Sequence, residues 1–269
     1  GAEVFQLDYF GKKASLAQSG QFYKQIMAGV FERAFEINPT YRAELSYTAR
    51  HMTEFMHIDV EMAFIESYKD ILAVAEKMIS YVVEKVWERN ETELKLWKAE
   101  KPKLTEKFPE ISVKDLHELY FKETKEDTRE EKDPTPAEER WICEYSAKHW
   151  NSDAVFVIEF PVSNMKFYHV LHPDDAGLTE RADLIFRGVE IATLTRREHR
   201  YDKLVEQLKK IGADPEDPGF RYYLMAFKYG MPPHGGFGMG LERLTQRLIG
   251  LQNVKEASLF PRDVNRLAP

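Results

Sequence analysis

Apolar residues recur at spacings of three and four from Tyr68 to about Leu96: Ile71, Leu72, Ala75, Met78, Ile79, Val82, Val83, Val86 and Trp87. That period predicts one long amphipathic helix lying on a broad apolar surface such as a sheet. Before it, "VFQLDYFGKKASLAQSGQFYKQIMAGVF" runs from strand-like residues through a Gly-Lys-Lys turn into a helix near Gln21–Phe31. "AFEINPTYRAE" and "MTEFMHIDVEMAFIE" alternate with period two, which suits an antiparallel pair joined by a charged loop. After the long helix, residues 97–140 turn strongly charged and proline-bearing, and read as a surface insertion with short helices. Strand-like runs return at "AVFVIEF", "KFYHVL" and "ADLIFRGVEIATL". Helices are expected around Arg200–Ile211 and Pro218–Tyr229, and then a glycine-rich strand feeds a last helix in "GMPPHGGFGMGLERLTQRLIGL". Strands outnumber parallel crossover units, so the fold class is α+β, an antiparallel sheet flanked by helices.

Composition narrows this little. At 269 residues, 43% hydrophobic and 31% charged, the chain can bury one large core and is neither disordered nor low-complexity. A net charge of −7 gives no global attraction to nucleic acid, so any such partner must meet a local basic patch. The single cysteine, Cys143, excludes an internal disulfide framework and makes a reducing cytoplasm the simple expectation. No apolar run approaches the ~18 residues of a membrane span, and no charged-then-apolar leader is present, so no membrane partner is expected. The first residues already read as a strand, which leads us to expect that more of the parent protein precedes Gly1.

Two stretches carry candidate chemistry. In "GGFGMGLERL", Gly235, Gly236, Gly238 and Gly240 strip a strand of side chains, so that a flat ligand or another backbone can come close. Arg243 follows on the first helical turn, where backbone N–H groups and a guanidinium together can hold phosphate. A tightly packed strand-to-helix corner reads equally well from these residues alone. Neither a dinucleotide fingerprint nor a phosphate loop ending in GKS or GKT occurs. In "EINPTYRAELSYTARHMTEF", Arg42 and Glu44 share one face of a strand. Such a pair suits a ligand with both a phosphate and an amine, such as an adenine nucleotide; a cross-strand ion pair is the alternative. Phe55 either stacks on a base or belongs to the core.

Joined together, these stretches resemble class II aminoacyl-tRNA synthetases. "YRAELSYTARHMTEF" is similar to motif 2 of that family, and "GFGMGLERL" with "SLFPRD" to motif 3 and its tail. The similarity continues through "YFGKKASLAQSGQFYKQ", "RHMTEFMHIDVEMAF", "ADLIFRGVEI" and "RREHRY", and is strongest toward aspartyl enzymes of the archaeal and eukaryotic type. The resemblance implies the class II antiparallel sheet, ATP as substrate, Mg2+, aspartate, tRNA for aspartate (tRNA for asparagine left open) and a homodimer. It implies that Arg42 holds the α-phosphate, Glu44 the adenine amine, and that Phe55 and Arg243 sandwich the adenine beside Gly240. Arg243 also reaches the γ-phosphate, and Arg50 and His51 meet the distal phosphates and the tRNA acceptor end. Asp183 and Glu190 match the family's metal-binding acids. Ser19 and Gln21 would contact the amino-acid backbone, Asp59 its ammonium, and Lys24 with Arg197 its side-chain carboxylate. Thr193 offers a hydroxyl where the family commonly has serine. The chemistry implied is in-line attack of the aspartate α-carboxylate on the α-phosphorus, with positioning and charge neutralisation as the protein's contribution.

Several positions depart from that pattern. Gly20 and "RRE" resemble asparaginyl enzymes as much as aspartyl ones, whereas Lys24 favours aspartate, because two cations suit a carboxylate and not an amide. Asparaginyl-tRNA synthetase is therefore the alternative, followed by a paralogue with altered or lost aminoacylation, such as one that makes asparagine. Leu194 and Thr195 stand where the family places small residues, so Leu194 is expected either to crowd the pocket or to force the strand aside. Within residues 1–269, motif 1, the anticodon-binding barrel and the glutamate-bearing flipping loop have no counterpart, and all three are expected before or at Gly1.

Overall fold

The computed structural model describes residues 3–268; the expectations attached to Gly1 lie outside them. A hairpin opens the chain, β1 (Gln6–Tyr9) with β2 (Lys12–Ser15). Phe10 and Gly11 make its turn with φ of 50° and 76°, the left-handed region that glycine enters freely. Helix α1 (Gln21–Phe31) follows, and then the paired strands β3 (Arg33–Tyr41) and β4 (Glu54–Ala63). The remaining strands are β5 (Glu110–Ser112), β6 (Ala154–Pro161), β7 (Leu178–Phe186), β8 (Val189–Arg197) and β9 (His234–Gly240). They complete a seven-stranded sheet in the order β3-β4-β9-β8-β7-β6-β5, antiparallel throughout except for the parallel β5–β6 edge.

The two faces of this sheet differ because side chains alternate along each strand. Met62, Ala182, Leu184, Ala192, Leu194, Phe237 and Met239 point to one face. There they meet α2 (Lys69–Arg89) through Ile71, Leu72, Ala75, Ile79 and Val83. Each of the larger ones, Ile71, Leu72, Ile79 and Val83, contributes roughly 2 kcal/mol. The helix stops short of the expected Leu96: Asn90 takes φ −128° and donates its side-chain amide to the Val86 carbonyl, and α3 (Glu91–Leu96) starts afresh.

Residues 97–140 are more than a solvated excursion. They supply the edge strand β5 and helix α4 (Val113–Thr124), which pack with α5 (Pro136–His149) over Val155, Val157, Phe160 and Ile185. Thr135 and Glu138 cap α5 reciprocally, with Pro136 in its first turn. This second core lies on the site side of the sheet and closes one end of it. The expected strand "KFYHVL" is irregular; only His169 and Leu171 make single bridges, to Arg197 and Thr179. Helices α6 (Tyr201–Lys210) and α7 (Arg221–Lys228) close the other end, where Leu204, Leu208, Tyr223 and Phe227 pack against Phe22 and Tyr168. The last helix, α8 (Leu241–Ile249), leaves directly from β9.

Candidate active site

On the face opposite α2, a cavity of about 690 Å³ runs across β4, β7, β8 and β9. Every residue to which the resemblance assigns a contact with substrate or metal lines it except Asp183, which is buried behind Arg181. Of the β9 glycines, Gly238 and Gly240 line it. A Cβ on Gly236 would lie 1.9 Å from the Val60 carbonyl oxygen, and one on Gly238 would lie 2.4 Å from the His57 ring. Those two positions serve the neighbouring strand β4. At Gly240 a Cβ would make only ordinary contact with Arg243, at 3.8 Å.

The closed end is a buried network of charges. Lys24, 4% exposed, places Nζ 2.6 Å from Asp59 Oδ1 and 3.5 Å from Glu61 Oε2, and donates to the Phe237 carbonyl at 3.1 Å. Arg197 Nε donates to Glu61 Oε1 at 3.1 Å, with its guanidinium over the Tyr168 ring. His57 Nδ1 lies 2.6 Å from Asp59 Oδ2. Burial works against the Asp59 charge, yet the His57 hydrogen bond and Lys24 hold its carboxyl well below the usual range. The two cations expected to await a substrate carboxylate are thus already balanced by Asp59 and Glu61. Glu61 escaped the sequence reading although its signal was there, because His57, Asp59 and Glu61 alternate along β4 and so share a face. Ser19 accepts from the Gln21 backbone N–H at 3.1 Å, and the Gln21 side-chain nitrogen is buried without a partner among the described residues.

At the open end, Arg42 lies over the Phe55 ring at 5.3 Å, and its buried Nε has no hydrogen-bond partner among the described residues. Glu44 and His51 line the same mouth. Burial, and then the charge of Arg243, hold His51 below the ordinary histidine value. Arg50 is held from outside the expected motifs: its Nη2 donates to both oxygens of Glu139 on α5, at 2.9 and 2.8 Å. Glu139 also accepts from the Glu190 backbone N–H at 2.9 Å. No sequence signal marked Glu139, which sits inside a charged run. Arg243 donates to the Glu190 carbonyl at 3.0 Å and to the Arg50 carbonyl at 3.3 Å.

Asp183 and Glu190, seven apart in sequence, are brought together by the β7–β8 turn. Thr193 donates to Glu190 Oε1 at 3.0 Å and lies directly across from Asp183 in the ladder. Burial, with the Glu190 charge adding to it, pushes Asp183 up to about 7 despite Arg181 beside it. For Glu190, burial is outweighed by Arg243 and Arg181, which hold it below the usual carboxylate range. Among the described residues no cluster of three or more metal-ligating side chains gathers.

Leu194 does not crowd this cavity. It is wholly buried on the opposite face, packed in the core that α2 covers, while its neighbours Thr193 and Thr195 face the site. Strand alternation is the reason: a residue between two site-facing threonines must point away.

A mostly antiparallel sheet with a long helix on one face and a ligand cavity on the other is the class II synthetase architecture. The chain belongs to that family: the model of the tRNA synthetases class II (D, K and N) matches residues 1–264. It is 44% identical over 275 residues to the aspartate–tRNA(Asp/Asn) ligase of Thermus thermophilus, covering 100% of this chain and 62% of that protein. It is 42% identical over 270 residues to the aspartate–tRNA(Asp) ligase of Pyrococcus abyssi, covering 100% and 61%. Asparaginyl-tRNA synthetase from Pyrococcus horikoshii, complexed with asparaginyl-adenylate, superposes with a TM-score of 0.90 at 34% identity, covering 100% and 61%. A putative aspartyl-tRNA synthetase from Leishmania major superposes at 0.89 and 33%, covering 100% and 60%. The chain thus spans about three-fifths of the length of the curated relatives it matches.

Proposed function

We propose that this chain is the catalytic domain of an aspartate–tRNA ligase, which condenses aspartate with ATP and passes the aspartyl group to tRNA. The observation that carries this reading is the buried Lys24–Asp59–Glu61–Arg197 network at the closed end of the cavity. It pairs an anion for the substrate ammonium with two cations for its side-chain carboxylate. When the ammonium engages Asp59, Lys24 is released toward the carboxylate, and an asparagine amide would leave that charge uncompensated.

Arg42 and Arg243 then hold the triphosphate, with Glu44 on the adenine amine, Phe55 against the ring and Gly240 leaving room beside it. Arg50 and His51 face the distal phosphates and the acceptor end of tRNA. Ser19, Gln21 and Thr193 complete the amino-acid site. An oxygen of the aspartate α-carboxylate attacks the α-phosphorus as the bond to the bridging oxygen breaks, and pyrophosphate leaves. The acids Asp183 and Glu190, which carry hard oxygen donors and repel one another, fit Mg2+. When bound, that ion neutralises phosphate charge. A homodimer and a cytoplasmic setting, where translation runs, complete the reading; among the described residues no helix is long and apolar enough to cross a membrane.

ATP–pyrophosphate exchange measured with aspartate and with asparagine tests the assignment. Exchange dependent on aspartate is expected; exchange with asparagine alone would replace this reading with the asparaginyl one.

A further inference from the structure

Asp183 is expected to offer its carboxylate to a divalent cation, yet both of its oxygens are taken. Arg181 Nη2 donates to Oδ2 at 2.7 Å and Nε to Oδ1 at 3.3 Å. The two residues lie two apart on β7, so strand geometry itself sets the pair. Arg181 is fixed on two further sides. Its Nη1 donates to Asp133 Oδ1 at 3.2 Å, and its guanidinium carbon lies 3.9 Å from the centre of the Phe160 ring. Asp133 is itself anchored by the Asn164 side-chain amide. Only 14% of the Arg181 side chain meets solvent. Glu190 is placed differently: 31% of its side chain is exposed, and the nearest cation to Oε2 is Arg243 at 3.9 Å.

We propose that Arg181 is a tethered counter-cation that competes with a divalent metal for Asp183, leaving Glu190 as the carboxylate through which the metal enters. This rests on reading Asp183 and Glu190 as the metal pair of the proposed ligase. A guanidinium forked on a carboxylate makes two charge-assisted hydrogen bonds, and a metal binding to Asp183 must break at least one of them. Magnesium commonly takes one or two protein carboxylates and completes its shell with water and substrate phosphates. With Arg181 in place, the site therefore holds a metal weakly until nucleotide phosphates share in binding it.

Titration of the protein with Mn2+, read by the electron paramagnetic resonance signal of free Mn2+ in the absence of nucleotide, tests this without reference to activity. Arg181→Ala is expected to bind Mn2+ at least tenfold more tightly than the unaltered protein. Asp183→Asn is expected to abolish that gain in the double variant while barely changing the affinity of the unaltered protein. Arg181→Lys, which keeps a charge and most of the packing but not the fork, is expected between the two, and serves if the alanine variant does not fold. Glu190→Gln should weaken binding in every background. If the Arg181 variants bind Mn2+ no more tightly while binding still depends on Glu190, the counter-cation proposal is overturned and the metal pair stands. Binding that is insensitive to Glu190→Gln overturns both.

Discussion

Lys24 Nζ and Asp59 Oδ1 sit 2.6 Å apart, and each side chain is 2% exposed. A pair this deeply buried acts on the fold and on the ligand together, because removing one partner leaves the other charged and unsolvated. Lys24→Ala is therefore expected to cost about 3–5 kcal/mol in stability, measured by denaturant unfolding. It should also raise the aspartate concentration needed for pyrophosphate exchange far more than the ATP concentration. An unchanged aspartate dependence would detach Lys24 from substrate binding and leave it a structural residue.

Arg42 presents the opposite case. Its guanidinium touches the Phe55 ring and forms no ion pair among the described residues, so little of the fold depends on its charge. Arg42→Ala is expected to lower adenylate formation by about 10²–10³, the magnitude typical of losing one preorganised charge-stabilising donor. Stability should shift by about 1 kcal/mol or less, as for a substitution that breaks no buried pair. Pyrophosphate exchange beside a melting curve separates the two effects.

Leu194 offers a test of which face of the sheet the chemistry uses. With its side chain wholly buried in the core under α2, Leu194→Ala should open a cavity and destabilise the protein by about 2–5 kcal/mol. The KM values for ATP and aspartate should stay unchanged in the fraction that remains folded. A lowered KM for either substrate would instead place the leucine against the ligand.

That position also shows what the sequence could and could not convey. Alternation along β4, β7 and β8 puts Asp59, Asp183, Thr193 and Arg197 on one face, although only the family resemblance marks them in the sequence. The same alternation, applied to Leu194 by its neighbours rather than by family pattern, would have sent it to the core. The opposing ion pairs were harder to read. That Glu61 balances Arg197 depends on strand pairing that spacing alone does not determine, whereas Arg181 and Asp183 share a face by spacing and only their fork depends on rotamers. Glu139 was out of reach, since only the docking of α5 over the sheet brings its carboxylate to Arg50 across 89 positions of sequence. The charged composition of residues 97–140 likewise concealed Val113 and Leu116, two well-spaced apolar residues that build the second core.

His234 supplies a pH test from beneath the site. It is fully buried, with Nδ1 2.9 Å from the Pro232 carbonyl and Nε2 2.9 Å from the Gln25 side-chain nitrogen. A carbonyl only accepts, so Nδ1 carries the proton and Nε2 accepts from Gln25, which is the neutral ring. Burial pushes the group below the ordinary histidine value of 6.5, although Glu61 pulls the other way. Below that value the unfolded chain takes up a proton that the folded chain refuses, so this group's contribution to stability falls as pH drops. Asp183, raised to about 7, has the opposite slope, so the informative quantity is the difference between the unaltered protein and His234→Gln. Glutamine keeps a hydrogen-bonding group there but does not titrate. Its stability deficit is expected to shrink, by at most about 1 kcal/mol, as the pH falls from about 6.5 to 5.5, measured by urea unfolding at each pH. A deficit that stays constant over that interval would mean that the folded protein accepts the proton, and that Gln25 is not the donor to His234.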